Sequence, residues 1–241
     1  MYVMKNRVCA SQTASNGKMK LTGALDAIQD CSLLWLESEP SFCDYLAAHN
    51  LGMVILSRQI DIVRLPMHGE KITVQTSIFE CNRAFGYRNT ALYGEDGLPC
   101  LLTWALGTFI NRATEKLERI PQSEIDKVSV EQRVEMEYLD KKIAVPNISG
   151  RRTGLIEVKG SDIDLYLHMN NVKYIEVALD LLPEDFAINR LRVEYKKSAK
   201  LGDLLHPQII EASSTHGYLL LLDAQDSPYT IIELWGGMIF G

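Results

Sequence analysis

Three side chains able to move a proton or polarise a bond fall within seven positions: Asp162, Asp164 and His168, in the run SDIDLYLHMNN. A carboxylate this close to an imidazole can orient the ring and fix its tautomer, which makes a histidine a competent general base. The run passes directly into NVKYIEVALDLL, where Val172, Ile175, Ala178, Leu179 and Leu182 recur at helical spacing, with Asn170 or Asn171 as the N-cap. A helix start carries unpaired N–H groups and a partial positive charge, so it could receive an oxyanion developing beside His168. The same spacing also suits a solvated loop ahead of a capped helix, with Asp162 shaping the loop. Two aspartates and one histidine, with no second histidine or cysteine nearby, do not make the usual zinc spacing, so no metal is expected.

The elements that must hold this loop can be read outward from it. A strand over Thr153–Lys159 precedes the loop, a helix over 171–182 follows, and strand-like runs come at 187–197, 204–213, 217–224 and 229–236. The first half follows a similar plan. Leu21, Leu25, Ile28 and Trp35 share one side of a helix over 21–36, with Thr22 as its cap, and a short helix over 42–48 follows. The period then changes to two over 54–64, 71–80, 85–93 and 98–111, with Glu95-Asp96-Gly97 as a hairpin turn. A charged stretch with Pro121 follows, in which a helix is expected over 123–137. Setting Gly69-Glu70 on Gly202-Asp203 also pairs Ile60-Asp61 with Val193-Glu194, which implies an internal duplication offset by 133 residues. The division that follows is a first domain over 1–125, a crossing linker over 126–150 and a second domain over 151–241. A helix followed by antiparallel strands, twice over, is an α+β arrangement.

Composition narrows the classes further. With 46% hydrophobic and 23% charged residues the chain is globular, and a net charge of −6 argues against non-specific binding to nucleic acid. Cys9, Cys31, Cys43, Cys81 and Cys100 are odd in number and include no Cys-x-x-Cys pair, which suits free thiols in the cytoplasm. No stretch reads as a membrane span or a signal sequence, so a soluble cytoplasmic protein is expected.

The run DIDLYLHMNNVKYIE resembles the signature of the acyl-acyl carrier protein thioesterases, roughly Asp-x-Asp-x-Asn-x-His-Val-Asn-Asn-x-x-Tyr. Asp162, Asp164, His168, Asn170, Asn171 and Tyr174 match, whereas Tyr166 stands where the family has Asn. In the first half, VILSRQIDIVRLPMHGEKITVQT, FGYRNTALY and LLTWALGTFINRATEKLERIP are similar to that family's N-terminal domain. A second family region reads Glu-Tyr-x-x-Glu-Cys; here Glu194 and Tyr195 are kept, but Ser198 and Ala199 replace the acid and the cysteine. No cysteine follows Cys100, so the second half holds no cysteine nucleophile.

The resemblance implies tandem hot-dog domains, each a long helix wrapped by an antiparallel sheet, with the acyl chain held on the N-terminal side. It implies hydrolysis of fatty acyl-acyl carrier protein, with Asp164 and His168 catalytic and Tyr166, Asn170, Asn171 and Ser198 contacting substrate. Turnover is expected to be slow because of Tyr166 and Ser198. No cofactor is implied, the partner is an acyl carrier protein bearing a phosphopantetheine-linked chain, and a homodimer is compatible with the pattern. A non-hydrolytic acyl-binding or regulatory module, and a thioesterase or dehydratase acting on acyl-coenzyme A, remain as alternatives. Arg190, Arg192, Lys196, Lys197 and Lys200 form either a solvated strand face or a docking surface for an acidic carrier protein.

Overall fold

The structure, a computed structural model, describes residues 1–183 and 186–238. It divides into two compact units, Met1–Leu139 and Asp140–Gly241. In the first unit the elements are β1 (Tyr2–Arg7), α1 (Leu21–Leu34), α2 (Pro40–Ala48), β2 (Leu51–Ile62), β3 (Lys71–Cys81), β4 (Phe85–Tyr93) and β5 (Pro99–Asn111). The strands pair antiparallel in the order β1-β3-β4-β5-β2.

Helix α1 buries Ala24, Leu25, Ala27, Ile28 and Cys31 and packs on β3 and β4. Burying one Leu or Ile side chain is worth about 1.5–3 kcal/mol, so this stripe is what holds the helix on the sheet. Its N-cap is Lys20, not Thr22, and no side chain caps it. The chain leaves α1 through a tight turn at Trp35–Ser38 and re-enters a helix at Pro40, whose ring suits a first helical position but disfavours helix in the residue before it.

Beneath α1 the sheet is unusually polar. The register sets Arg58 and Arg88 on either side of Ala105, so all three share one face. Arg58 is buried, and the Arg88 guanidinium lies 4.4 Å over the Trp35 ring while donating to Thr76 Oγ1 at 3.1 Å. Burial pushes the Arg88 pKa down to about 9, with the neighbouring Arg58 charge adding to the effect.

The segment expected to cross between halves is instead divided between the units. Up to Leu139 it lies on the first: Val128 joins the core, Tyr138 Oη donates to Asn89 Oδ1 at 2.9 Å, and the Leu139 N–H donates to Gln59 Oε1 at 3.0 Å. From Asp140 onward it lies on the second, where Arg192 reaches the Asp140 and Lys142 carbonyls and Glu194 accepts the Ile143 N–H. The helix expected over 123–137 shrinks to the single turn Gln122–Ile125. Beyond that turn the chain runs on without helix as far as Leu139. The amides of Glu131, Val134 and Leu139 bond instead to the Ile78 carbonyl and to Asn89 and Gln59 side chains.

In the second unit, α3 (Asn171–Asp180) packs on a sheet of β6 (Phe186–Tyr195), β7 (Leu204–Ser213), β8 (His216–Leu222) and β9 (Pro228–Met238), ordered β6-β9-β8-β7. The strand expected over 153–159 reduces to two short pairings with β7, at Arg151–Arg152 and Ile156–Glu157, on either side of Gly154. Each unit is thus a helix resting on an antiparallel sheet with the same strand order, which is the hot-dog arrangement.

Candidate active site

Residues 163–169 close a tight hairpin. Ile163 bridges Met169, the Asp164 N–H donates to the His168 carbonyl at 2.8 Å, and the Leu167 N–H donates to the Asp164 carbonyl at 3.1 Å. Such a loop ends on a left-handed residue, usually glycine, and here that residue is Leu167 with φ 65°. Forcing a side chain into that region costs on the order of 1–2 kcal/mol. The hairpin tip also exposes its apolar side chains: Leu165 and Leu167 are each 76% exposed and Tyr166 is 45% exposed.

Asp164 holds this loop through the main chain. Its Oδ1 accepts the Tyr166 N–H at 2.8 Å and the His168 N–H at 3.4 Å, which fixes the backbone on which the half-buried His168 sits. Asp162 braces the hairpin from outside: its carboxylate accepts the Lys159 N–H at 2.8 Å and its carbonyl accepts the Asn170 N–H at 2.8 Å. Asn170 is the N-cap of α3, with Oδ1 accepting the Val172 N–H at 2.9 Å, while its carbonyl accepts the Lys173 N–H at 2.9 Å. The cap therefore occupies two of the helix-start amides. The Asn171 N–H, three positions beyond His168, has no acceptor among the described residues.

A latch then brings the second candidate region to the first. The buried Tyr174 hydroxyl accepts the Ala199 N–H at 2.8 Å, and the Ala199 carbonyl accepts the Met169 N–H at 2.8 Å. Exposed Ser198 is thereby carried to the end of the hairpin that meets α3. Burial pushes the Tyr174 phenol up to about 12, so it stays protonated and neutral across the working range. Tyr195 adds a second tie, donating to the Asn171 carbonyl at 3.2 Å and meeting the Tyr174 ring edge-on. Sequence reasoning gave no role to Ala199, Tyr174 or Tyr195. The signal available was the retained Tyr in both motifs.

The basic run is drawn into ion pairs. Arg192 bonds buried Glu233 at 2.9 Å, whose other oxygen meets His216 Nε2 at 2.9 Å; Lys196 pairs with Glu194, and Lys197 with Asp223. Three of its five members are thus neutralised within the fold. Among the described residues, no group of three or more His, Cys, Asp or Glu is arranged to hold a metal ion.

The first unit repeats the hairpin. Val8–Leu21 follows Val158–Asn171 residue for residue, 150 positions earlier. Thr13 bridges Met19, the Ala14 N–H donates to Lys18 O at 2.8 Å, the Gly17 N–H to Ala14 O at 3.0 Å, and the Lys20 N–H to Gln12 O at 2.7 Å. Met19 donates to the Pro66 carbonyl at 2.7 Å, as Met169 does to that of Ala199, which stands 133 positions later. The offset falls from 150 to 133 because the first unit alone inserts the Trp35–Ser38 turn and α2 before its sheet resumes. In this copy Ala14 and Lys18 stand where Asp164 and His168 stand in the other, so only the second unit carries the reactive pair.

Comparison with known proteins gives a consistent result. Residues 1–142 match the family model of the acyl-ACP thioesterase N-terminal domain, and residues 148–235 that of the C-terminal domain. A chloroplastic palmitoyl-acyl carrier protein thioesterase of Gossypium hirsutum is 28% identical over 217 residues, covering 81% of this chain and 50% of its own length. A chloroplastic palmitoyl-acyl carrier protein thioesterase of Cuphea hookeriana is 26% identical over 183 residues, covering 70% and 43%. The chain thus spans about half the length of these plant relatives. Among solved structures, an acyl-ACP thioesterase from Bacteroides thetaiotaomicron superposes with a TM-score of 0.86 at 20% identity, over 97% of this chain and 96% of that one. The 12:0-ACP thioesterase from Umbellularia californica does so at 0.84 and 16% identity, over 98% and 97%.

Proposed function

The chain belongs to the acyl-acyl carrier protein thioesterase family, and on that premise we propose that it hydrolyses the thioester of a fatty acyl group carried on acyl carrier protein. One observation carries the reading beyond family likeness. The hairpin sets His168 three residues ahead of Asn171, the first residue of α3, whose N–H has no acceptor among the described residues.

In this reading His168 takes a proton from the attacking water and returns it to the departing thiol, the acid–base role an imidazole most often fills. The Asn171 N–H receives the oxyanion, where one such donor is worth about 10²–10³ in rate. Asp164 acts as a positioning residue through the His168 and Tyr166 amides. Asn170 shapes the cap, and Tyr166 and Ser198 border the reacting group. The substrate brings its own phosphopantetheine arm. Five unpaired cysteines support a reducing compartment, and we place the activity in the cytoplasm.

Thiol release from dodecanoyl-acyl carrier protein and dodecanoyl-coenzyme A, followed with a colorimetric thiol reagent, tests the proposal. Faster release from the carrier protein is expected, with a loss of about 10²-fold or more in His168→Ala. Equal turnover in that variant would remove His168 from the mechanism, and no release from either thioester would overturn the reading.

A further inference from the structure

Two copies of one hairpin, closed by the same main-chain bonds, end in opposite chemistry. In the first unit the tip is Ser15-Asn16-Gly17, and Gly17 takes the left-handed position with φ 78°. These are the residues such a turn selects on conformational grounds. In the second unit the tip is Leu165-Tyr166-Leu167, with a leucine held at φ 65° where glycine is favoured. Backbone geometry cannot be the reason for these three residues, because the sister hairpin closes identically without them. Packing within the fold is not the reason either, since Leu165 and Leu167 each leave 76% of their surface to solvent. A strained, exposed, apolar tip is therefore kept at a cost, and it occurs only in the copy that also carries Asp164 and His168.

Resting on the thioesterase reading above, we propose that Leu165 and Leu167 are substrate-contact residues that cover the aliphatic segment next to the thioester as it enters beside His168. The tip directly precedes His168 in the chain, with Leu167 its immediate neighbour, so these are the exposed apolar side chains nearest the imidazole in sequence. A thioester of this class offers methylenes on both sides of the reacting carbonyl, in the acyl chain and in the pantetheine arm. Contact with them removes apolar surface of both partners from water, which is the gain that balances the backbone strain.

The test compares wild type with Leu165→Ser/Leu167→Gly, which restores the first unit's own residues at these two positions and leaves Tyr166 in place. Two non-hydrolysable probes, S-dodecyl-pantetheine and S-methyl-pantetheine, are titrated calorimetrically, and thermal unfolding is followed in parallel. The double variant should unfold about 2–4 °C higher, because glycine relieves position 167. It should nevertheless bind S-dodecyl-pantetheine at least about tenfold more weakly, from the apolar area lost. A fall confined to the dodecyl probe assigns the contact to the acyl chain, and an equal fall in both assigns it to the pantetheine arm; either supports the proposal. The single variant Leu165→Ser keeps the measurement interpretable should the double variant unfold.

Unchanged affinity for both probes, or no binding of either by wild type, overturns the proposal. So does a change from dimer to monomer in the variant by light scattering with affinity unaltered, which would make the tip a contact between copies. Probe binding that depends on the tip, in a protein that releases no thiol from acyl-carrier protein, would sink the proposed activity and leave the contact standing.

Discussion

Tyr174→Phe removes one oxygen and asks whether the latch between the two candidate regions matters. Tyr174 is 2% exposed and Ala199 is fully buried, and the lost oxygen is the acceptor of the Ala199 N–H at 2.8 Å. Phenylalanine keeps the ring and its edge-on contact with Tyr195, so the packing loss is small. What remains is a buried amide with no acceptor, which costs about 1–3 kcal/mol. For a unit of roughly 100 residues each kcal/mol is worth about 4–8 °C, so the midpoint of the second unit should fall by about 5–15 °C. Amide exchange at Ala199 should accelerate about fivefold or more while that in β8 changes only with global stability. Turnover measured well below the midpoint should fall with little change in KM, because the Ser198 end is then held to the Met169–Tyr174 stretch by the Met169 bond alone. A midpoint within a degree of wild type, with unaltered exchange at Ala199, would refute the latch.

Three further outcomes are expected. Tyr166→Asn with Ser198→Glu, which restores the family's residues at both positions, should raise kcat for acyl-carrier protein by about tenfold or more, measured as thiol release; a fall would show that Tyr166 and Ser198 belong to a working site of another design. Arg192→Met leaves Glu233 buried without its guanidinium and should lower stability by about 3 kcal/mol, read from the urea midpoint of the second unit. Hydrogen bonds from Arg64 hold the Glu70 carboxylate down at about 2 from 4.5, so this pair stabilises the first unit fully above pH 4.5 and loses that contribution as pH falls toward 2. Arg64→Met should flatten that acid limb of the stability curve, checked by denaturant unfolding between those limits.

Much of this was legible in the chain because local patterns carry it. The alternation over 71–80 and 85–93 gave β3 and β4 almost to the residue, and Gly97 marked the turn between β4 and β5. Asp164, His168 and Asn170 share one short loop, so their proximity needed no fold. Partners distant in sequence were not legible. Tyr174 and Ala199 are 25 positions apart, and nothing local shows that a phenol accepts from that amide. The charged stretch after Pro121 misled for the opposite reason: helix propensity is a local preference, and Asn89 and Gln59, buried on the first sheet, outbid it for the backbone of 134–139. The strand Tyr2–Arg7 was not legible, because an edge strand exposing most of one side carries little apolar alternation. The duplication was visible at an offset of 133 but not at 150, since Asp164 and His168 have no chemical counterparts in Ala14 and Lys18.

The half-buried guanidinium of Arg88 gives this protein a built-in spectroscopic reporter. Guanidinium protons normally exchange with water too fast to be seen near neutral pH. Half-buried beneath α1, bonded to Thr76 Oγ1 and lying over the Trp35 ring, those of Arg88 should exchange slowly enough to give resolved nitrogen-correlated NMR signals shifted by the indole ring current. Any molecule entering the interior of the first unit would move those signals before it altered the backbone. Occupancy there could then be followed residue by residue without labelling the ligand.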